Sequence, residues 1–269
     1  MKYRNKITPL KWHGGKAYQA DKIISLMPKH LHYVEPYFGG GQVLFRKDCE
    51  GVSEVINDLD DNLINFWRCL ANPEMFRALV RILEATPLSQ KTWEDSIGDF
   101  DDSVIKAATF FIRYRQSRQG LGKSFNTLSK NRVRRGMNEQ VSSWLSAIEG
   151  LPEAHARLKR VVILNSDALK VIKSEDSRNT FFFLDPPYLH STRVSTDAYK
   201  FEMSRGQHKA LLDCLTSLEG SFMLCGYRSN LYDSYAEKHN WNRVDTKIDN
   251  KASSKKTKDV KTECLWMNY

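Results

Sequence analysis

Long hydrophobic runs are missing from this 269-residue sequence. A membrane-spanning helix needs about 20 consecutive apolar residues, and every apolar run here is short and interrupted by charges. The N-terminal residues 1–6 are not followed by the apolar segment of a signal peptide. The sequence therefore predicts a cytoplasmic protein that has no contact with a membrane.

Cysteine is scarce, and its spacing shows no pattern. The five cysteines lie far apart and form no Cys-x-x-Cys pair. Zinc sites and disulfide frameworks require clustered or regularly spaced cysteines. We therefore expect reduced, mostly packed cysteines, no disulfides and no metal site.

Acidic residues are absent from residues 113–135, although this stretch contains eight arginines and lysines and the whole chain has a net charge of +9. Tyr114 and Phe125 lie between these cations. A basic stretch without acids is often only solvated surface, but the interleaved aromatic residues favour a nucleic-acid partner.

The most informative segment runs from Phe181 to Tyr188. Its apolar residues 181–184 have the length of a buried strand, and Asp185 follows them. Pro186 and Pro187 stop both sheet pairing and helix formation, so the chain must leave the sheet there.

Such a corner suits chemistry on an exocyclic amine, although an ordinary strand end is the plainer interpretation. Ligands bind at the carboxyl ends of strands in open α/β sheets. The Asp185 carboxylate and the Pro186 carbonyl can accept both amine hydrogens, and Tyr188 can stack on a base taken out of its helix.

Three further motifs precede this corner. Residues 10–16 contain the glycine pair Gly14-Gly15, which is followed by Lys16. The free backbone N–H groups of this pair, beside the lysine, suit an anionic group. Residues 33–41 form a short strand and a glycine turn that permits close approach of a ligand, but without the G-x-G-x-x-G spacing of NAD-binding proteins. The next strand ends at Asp58, where a carboxylate can accept hydrogen bonds from ribose hydroxyls, although helix capping is the alternative.

Taken in order, the motifs at 10–16, 33–41, 57–60 and 185–188 resemble those of the Dam-type (D12-class) DNA adenine amino-methyltransferases. The resemblance covers essentially the whole chain. It implies an enzyme that flips an adenine out of double-stranded DNA and methylates its exocyclic amine directly from S-adenosylmethionine, without a metal and without a covalent enzyme intermediate. Asp at position 185, rather than Ser or Thr, favours adenine as the target.

The resemblance also implies the site residues. The catalytic motif comprises Asp185, Pro186, Pro187 and Tyr188. The residues implied for cofactor binding are Trp12, Lys16, Glu35, Tyr37, Phe38, Gly39, Gly41, Asp58, Leu59, Asp167, Ala168 and Asp185. Ala168 stands where the family often has phenylalanine, which weakens the expected stacking contact, and His13 stands where the family usually has a small apolar residue.

The implied fold is α/β, with a Rossmann-like methyltransferase sheet, helices on both faces and an inserted, mainly helical target-recognition region. The expected segments are a cofactor-binding half at 1–71, the inserted region at 72–152 and a catalytic half at 153–269. The residues expected to contact DNA are Tyr114, Arg115, Arg118, Lys123, Arg132, Arg134 and Arg135.

Hydrophobic periodicity predicts individual elements. The predicted helices are a stretch ending before Pro28, residues 42–47, an amphipathic run capped by Asp60 or Asp61, residues 73–84, a piece near Trp93, 103–114, 138–149, 168–173 and a helix with a capping box at Ser204 and Gln207. The predicted strands are 33–35, 54–57, 161–164, 181–184, 222–225 and a terminal hairpin at 243–248 and 262–268. The polar loop 189–203 could close over the base, and the lysine-rich connection 250–261 is a second expected phosphate contact.

Three alternatives remain open on the sequence alone. The same chemistry could act on the amine of cytosine or on adenine in RNA. The chain could also be a nucleic-acid-binding protein that has lost catalysis, an interpretation that the intact Asp185 and Tyr188 disfavour. An NAD-dependent oxidoreductase is disfavoured by the glycine spacing.

Overall fold

The computed structural model describes residues 8–192, 200–249 and 260–269. The α-helices in these ranges are α1 (Ala20–Leu26), α2 (Asp61–Ala71), α3 (Pro73–Glu84), α4 (Gln90–Asp95), α5 (Ser103–Arg115), α6 (Glu139–Glu149), α7 (Leu151–Leu158), α8 (Ala168–Ser174), α9 (Arg205–Leu215) and α10 (Asn230–Lys238). The strands are β1 (His32–Glu35), β2 (Ser53–Asn57), β3 (Val133–Arg134), β4 (Met137–Asn138), β5 (Val162–Leu164), β6 (Thr180–Leu184), β7 (Ser221–Tyr227), β8 (Asn242–Asp249) and β9 (Val260–Met267). Within the described ranges, no helix has the length and apolar character needed to cross a bilayer.

The chain divides into two compact units by its contacts. The first contains the described residues up to Leu26 together with Phe38–Glu50 and Asp60–Asn165. The second contains the described residues of Met27–Tyr37, Gly51–Leu59 and Ser166–Tyr269. These boundaries differ from the expected segments, because β1 and β2 group with β6 to β9. The three-segment division stays a prediction.

The second unit contains most of the main sheet. This sheet has seven strands, and the six in the second unit run in the order β2-β1-β6-β7-β9-β8. The first four of these strands are parallel to one another. Strand β9 is antiparallel to both β7 and β8. All five residues of β6 are buried, as expected for a parallel strand covered on both faces. The predicted α/β fold class, a mostly parallel sheet with flanking helices, is confirmed.

Strand order reverses at β1, which lies between β2 and β6. In the register, Glu35 pairs with Ile56 of β2, and Val34 pairs with Phe182 of β6. The carboxyl ends of these three parallel strands therefore lie at one edge of the sheet. Ligands of open α/β sheets bind at such a reversal point.

The first unit is mainly helical, and α2 packs against α3, α5 and α7. Phe66 of α2 stacks on Phe111 of α5, with ring centroids 5.7 Å apart. Asp60 accepts a hydrogen bond from the backbone N of Asn62 and caps α2, so Asp60 is the capping acid between the two that the sequence offered. The predicted helices α3 to α6 are confirmed, with Asn138 as the N-cap of α6.

One predicted helix is wrong. Residues 42–47 form a series of turns, in which the N of Phe45 bonds to the O of Gly41 and the N of Lys47 bonds to the O of Val43. Asp or Ser caps several helices of this structure, for example Ser89 at α4 of the same length, whereas residues 42–47 follow the glycine turn and begin at Gln42.

The terminal hairpin is confirmed as β8 and β9, paired in antiparallel register from Asn242 opposite Met267 to Asp249 opposite Val260. Two loops have predicted functions, and parts of both lie outside the described residues. These parts are residues 193–199 of the loop expected to cover the base and residues 250–259 of the lysine-rich connection.

Candidate active site

Asn57 organises the carboxyl edge of the second unit. Its Nδ2 donates to the carbonyl oxygens of Pro36 and Ser166, both at 3.0 Å, and its Oδ1 accepts from the N of Ser166 at 2.9 Å. The side chain is fully buried. It therefore joins the end of β1 to the end of β2 and to the segment before α8. Sequence analysis gave Asn57 no role, although a polar residue at the end of an apolar strand was the available signal.

The next two residues are more accessible than Asn57. Asp58 is half-buried, and Leu59 is 53% exposed, which is unusual for leucine. These are the two residues expected to hold the ribose and the adenine of the cofactor. The motif therefore contains a fully buried residue, Asn57, next to two more accessible ones.

Glu35 and Tyr37 follow at the end of β1. Glu35 is buried and accepts a hydrogen bond from the Tyr33 hydroxyl. Burial raises the pKa of Tyr37, and the nearby Asp167, Cys214 and Asp58 raise it further. Three residues predicted for cofactor binding, Tyr37, Asp167 and Asp58, thus share one electrostatic environment.

Asp167 also has a structural task. Its Oδ1 accepts hydrogen bonds from the N of Leu169 at 3.0 Å and the N of Lys170 at 3.2 Å, so it caps α8, which begins at Ala168. Both bonds use the same oxygen. The side chain is exposed, and Oδ2 forms no hydrogen bond with the part of the chain that the structure describes.

The predicted corner follows β6. The chain has no regular structure from Asp185 to Leu189, so it leaves the sheet where the two prolines required it to. Asp185 is half-buried, whereas Tyr188 is only 7% exposed. The Tyr188 ring meets the ring of Tyr227 edge-on at 4.9 Å.

The Tyr188 hydroxyl donates a hydrogen bond to Glu263 of β9, which is itself buried. Burial raises the pKa of Tyr188 well above its usual value, and the charges of Asp185 and Glu263 raise it further. The ring therefore stays neutral and keeps its donor. Sequence analysis missed Glu263, although an acid directly before the apolar residues 264–267 was a visible exception.

The glycine turn belongs to the first unit and packs on Trp12. Gly39 and Gly41 have positive φ values of 50° and 65°. A Cβ added at Gly39 would lie 2.8 Å from Nε1 of Trp12, and one at Gly41 would lie 2.4 Å from the Phe38 ring. Phe38 itself is buried against Trp67, with ring centroids 5.2 Å apart. The turn therefore requires glycine both for its φ angles and for space.

Lys16 follows the glycine pair of the first motif, Gly14 and Gly15, and is only 8% exposed. Its Nζ donates to the carbonyl oxygen of Gly14 at 3.1 Å. The structure thus holds the ammonium beside the glycine pair that the sequence pointed to.

Two residues of the basic stretch face inward within the first unit. Tyr114 contacts Trp12, with ring centroids 4.9 Å apart, and burial raises the pKa of Tyr114. Arg115 donates to the carbonyl oxygens of Pro9, at 2.9 Å, and Thr8. Burial lowers the pKa of Arg115 to about 10. These contacts indicate that Arg115 holds residues 8 and 9 in place.

Arg113 is half-buried and its Nε donates to the carbonyl oxygen of Gly122 at 3.0 Å. The remaining cations of this stretch are exposed, and α6 supplies acids to two of them. Nη2 of Arg135 lies 2.8 Å from Oε1 of Glu149, and Nη1 of Arg132 lies 3.6 Å from Oε1 of Glu139. The acid-free stretch is therefore partly neutralised by residues that follow it in the sequence. The remaining exposed cations predicted to contact DNA are Arg118, Lys123 and Arg134.

A polar cleft of about 300 Å³ lies within the first unit beside these cations. Its lining includes Lys11, Arg115 and Arg134. Lys11 donates to the carbonyl oxygen of Ser117 at 2.7 Å and to Oδ1 of Asn126 at 3.1 Å. Burial lowers the pKa of Lys11, and the charge of Arg115 lowers it further.

The described residues contain neither a disulfide nor a metal-binding cluster. All five cysteines are free and buried. Across residues 8–192, 200–249 and 260–269, no three histidines, cysteines or acids are grouped so as to hold a metal ion.

These features define an α/β protein that has several carboxylates and a proline-rich corner near a strand-order reversal, together with a helical unit that exposes cations. Comparison with known proteins identifies the family. The sequence model of the D12 class N6 adenine-specific DNA methyltransferases matches residues 12–251, and the chain belongs to this family. The resemblance inferred from the four motifs is confirmed, and membership of this family indicates that the protein is a methyltransferase.

Known proteins similar to this chain include one sequence relative and one solved structure. The chain is 24% identical over 287 aligned positions to the Type II methyltransferase M.MjaIII of Methanocaldococcus jannaschii, and the alignment covers 97% of this chain and 98% of that protein. The solved structure of PH1948 from Pyrococcus horikoshii, a candidate RNA methyltransferase, covers 99% of this chain and 90% of its own at 9% identity, with a TM-score of 0.41. We draw no conclusion from that structural likeness.

Proposed function

We propose that the protein transfers a methyl group from S-adenosylmethionine to the exocyclic amine of an adenine that has been flipped out of double-stranded DNA. The observation that carries this proposal is the corner after β6. There a half-buried carboxylate, a proline carbonyl and a neutral, buried tyrosine follow a strand beside the reversal point of the sheet.

The residues at this edge fit the cofactor chemically. Carboxylates accept hydrogen bonds from ammonium and hydroxyl groups, so Glu35 suits the methionine ammonium, Asp58 the ribose and Asp167 the adenine amine. Exposed Leu59 suits the adenine face. The further residues that we propose for cofactor binding are Trp12, Lys16, Tyr37, Phe38, Gly39, Gly41, Ala168 and Asp185. When bound, S-adenosylmethionine supplies an electrophilic methyl group.

The chain's own contribution is mainly positioning. The Asp185 carboxylate and the Pro186 carbonyl accept the two N–H groups of the target amine, which directs the nitrogen lone pair toward the methyl group. Asp185 is also the acceptor placed to take the proton that nitrogen must lose after the N–C bond has formed. Pro187 keeps the corner extended, and Tyr188 stacks on the flipped base.

We further propose that the exposed cations of residues 113–135 contact phosphates, since phosphate contacts hold a protein on DNA without reading its sequence. Arg118, Lys123, Arg132 and Arg134 are the strongest candidates. Arg135 and Arg115 have less support, because they are bonded to Glu149 and to backbone carbonyls. Tyr114 also has less support, because its ring packs against the ring of Trp12.

The test is incubation with S-adenosylmethionine and unmethylated genomic DNA, followed by mass spectrometry of the nucleosides and sequencing for modified sites. We expect N6-methyladenine from the parent. The rate of Asp185→Ala should be lower by a factor of at least about 100, since loss of one group that stabilises developing charge costs about that much. Far-UV circular dichroism and thermal unfolding show whether the variant is folded.

Each other outcome has a defined meaning. A near-parent rate for Asp185→Ala contradicts the catalytic assignment. Methylcytosine overturns the substrate while keeping the chemistry, and methylated RNA in a parallel incubation moves the substrate to RNA. Cofactor binding without any methyl transfer makes the protein a non-catalytic binder.

A further inference from the structure

Glu263 is a buried carboxylate in the interior of an antiparallel strand pair. On β9 it lies opposite Tyr227 of β7 and opposite Thr246 of β8. It is only 4% exposed, and the four residues after it, 264–267, are apolar and buried. Burying a carboxylate at such a position costs free energy unless donors compensate it. The Tyr188 hydroxyl is one of those donors.

The sheet register explains how Tyr188 reaches this strand. Leu184, the last residue of β6, pairs with Leu224 of β7. Tyr227 lies three residues further along β7, and Tyr188 lies four residues beyond Leu184. The corner therefore runs beside the end of β7 and meets the strand on its far side. The hydrogen bond joins residues 75 positions apart in the chain.

Two contacts thus hold the Tyr188 ring: the edge of the Tyr227 ring on its side and Glu263 at its hydroxyl. Hydrogen bonds to an ionised acceptor are roughly twice as strong as neutral ones. An aromatic ring ordered in advance loses less entropy when a base stacks on it. A neutral acceptor would fill the same space, but it would hold the ring less firmly.

We propose that Glu263 is a positioning residue for methyl transfer, which fixes the orientation of Tyr188 before the target adenine arrives. The inference rests on the proposed function and extends it, because it gives the last strand of the sheet a part in catalysis. Glu263 acts through Tyr188.

The experiment compares Glu263→Gln, Tyr188→Phe and the double variant. Both single substitutions remove the charge-assisted bond, so each should lower kcat about tenfold while leaving the KM for S-adenosylmethionine unchanged. The double variant should have about the rate of Tyr188→Phe, because residues that act through one shared bond are not additive.

A spectroscopic readout separates ring position from stability. DNA with 2-aminopurine at the target adenine reports stacking of the flipped base through its fluorescence. We expect Glu263→Gln to change that fluorescence relative to the parent complex. The control is Tyr232→Phe, which removes another buried tyrosine bond of the second unit, to Nδ1 of His208 at 2.9 Å. It should lower Tm without changing kcat or the fluorescence.

Parent kcat and parent fluorescence in Glu263→Gln overturn the inference, as do fully additive losses in the double variant. If Glu263→Gln does not fold, Tyr188→Phe removes the same bond from the other side, and a parent rate there has the same meaning. A parent protein that methylates no adenine overturns the proposed function and this inference with it. An active parent with unaffected variants overturns the inference alone.

Discussion

Asn57 and Asp58 are adjacent residues with different surroundings, and we propose a ligand-binding role only for Asp58. The Asn57 amide donates hydrogen bonds to the carbonyl oxygens of Pro36 and Ser166. Asp58, in contrast, is half-buried and precedes the exposed Leu59. A hydrogen bond to a charged group contributes about 1.5 to 3 kcal/mol. We therefore expect Asp58→Asn to weaken S-adenosylmethionine binding by about 10- to 100-fold. Isothermal titration calorimetry measures this.

Asp213→Asn is the matched control for that measurement. Asp213 is an exposed acid of the second unit that accepts a hydrogen bond from the Tyr235 hydroxyl, and its substitution should leave cofactor affinity unchanged. Unchanged affinity in Asp58→Asn would contradict the ribose assignment.

The sequence identifies single residues when their chemistry stands at a recognisable spacing. Asp185 and its prolines could be found because proline stops a strand wherever it occurs. Glu263 could not, because its partner Tyr188 lies 75 positions earlier and only the strand order β6-β7-β9 brings them together. The double task of Asp167, cap of α8 and neighbour of Tyr37, was equally invisible.

Among the elements, the basic stretch has more structure than its composition indicated. Strands β3 and β4 form a hairpin joined by Arg135 and Gly136, both with positive φ, at 57° and 74°. Such a turn normally has Asn-Gly or Asp-Gly. Arginine at this position gives no turn signal, so the hairpin was not predicted. The bond from Arg135 to Glu149 of α6 holds the turn in place.

This difference among the cations leads to a prediction about DNA affinity. If the stretch neutralises about five phosphates, log affinity should fall with log salt at a slope of about −4 to −5. Arg118 and Arg134 are exposed and form no ion pair with any described residue. Each of Arg118→Gln and Arg134→Gln should reduce the steepness of that slope by about 1.

Arg135→Gln should change the slope less, because its guanidinium is already paired with Glu149. Fluorescence anisotropy of labelled DNA between low and moderate salt gives all four slopes. Equal reductions in the three variants would show that the pairing with Glu149 does not decide which cations meet DNA.

Helix α7 shows why one further element was missed. No helix was predicted between residue 149 and the strand at 161–164, yet α7 begins at Leu151 and places Pro152 in its first turn. Proline is compatible with that position, since the first N–H groups of a helix have no partner within it. The same residue types therefore mark a link or a helix start, and only the packing of the apolar residues that follow decides between them.

At the scale of the whole molecule, the α/β class followed from motif order and strand patterns, but the division into units did not. Contacts group β1 and β2 with β6 to β9. Parallel strands from distant parts of the chain share one hydrogen-bonded sheet, whereas the segments between them pack as helices. Sequence order therefore predicts the elements better than it predicts which of them pack together.

Stability at alkaline pH also belongs to the whole molecule, because several groups of opposite sign contribute to it. Burial raises the pKa values of Tyr37, Tyr188 and Tyr232 above their usual 10.0. In the unfolded chain these tyrosines lose their protons near pH 10, whereas in the folded protein they keep them. The stability they contribute is present below pH 10 and is lost as pH rises above it. Lys11 and Arg115, whose pKa values are lowered, act in the opposite direction.

A single substitution isolates one of these groups. Tyr232 is 3% exposed and is not among the residues that we propose for the site. Above pH 10, the free energy of unfolding of Tyr232→Phe should fall less steeply than that of the parent, by up to about 1.4 kcal/mol per pH unit for one proton. Urea unfolding at pH 7, 9, 10 and 11 measures both curves, and the values at pH 7 and 9 give the constant cost of the lost hydrogen bond. Parallel curves across the whole range would mean that Tyr232 ionises alike in the folded and unfolded protein. Burial of its ring would then not contribute to the loss of stability above pH 10.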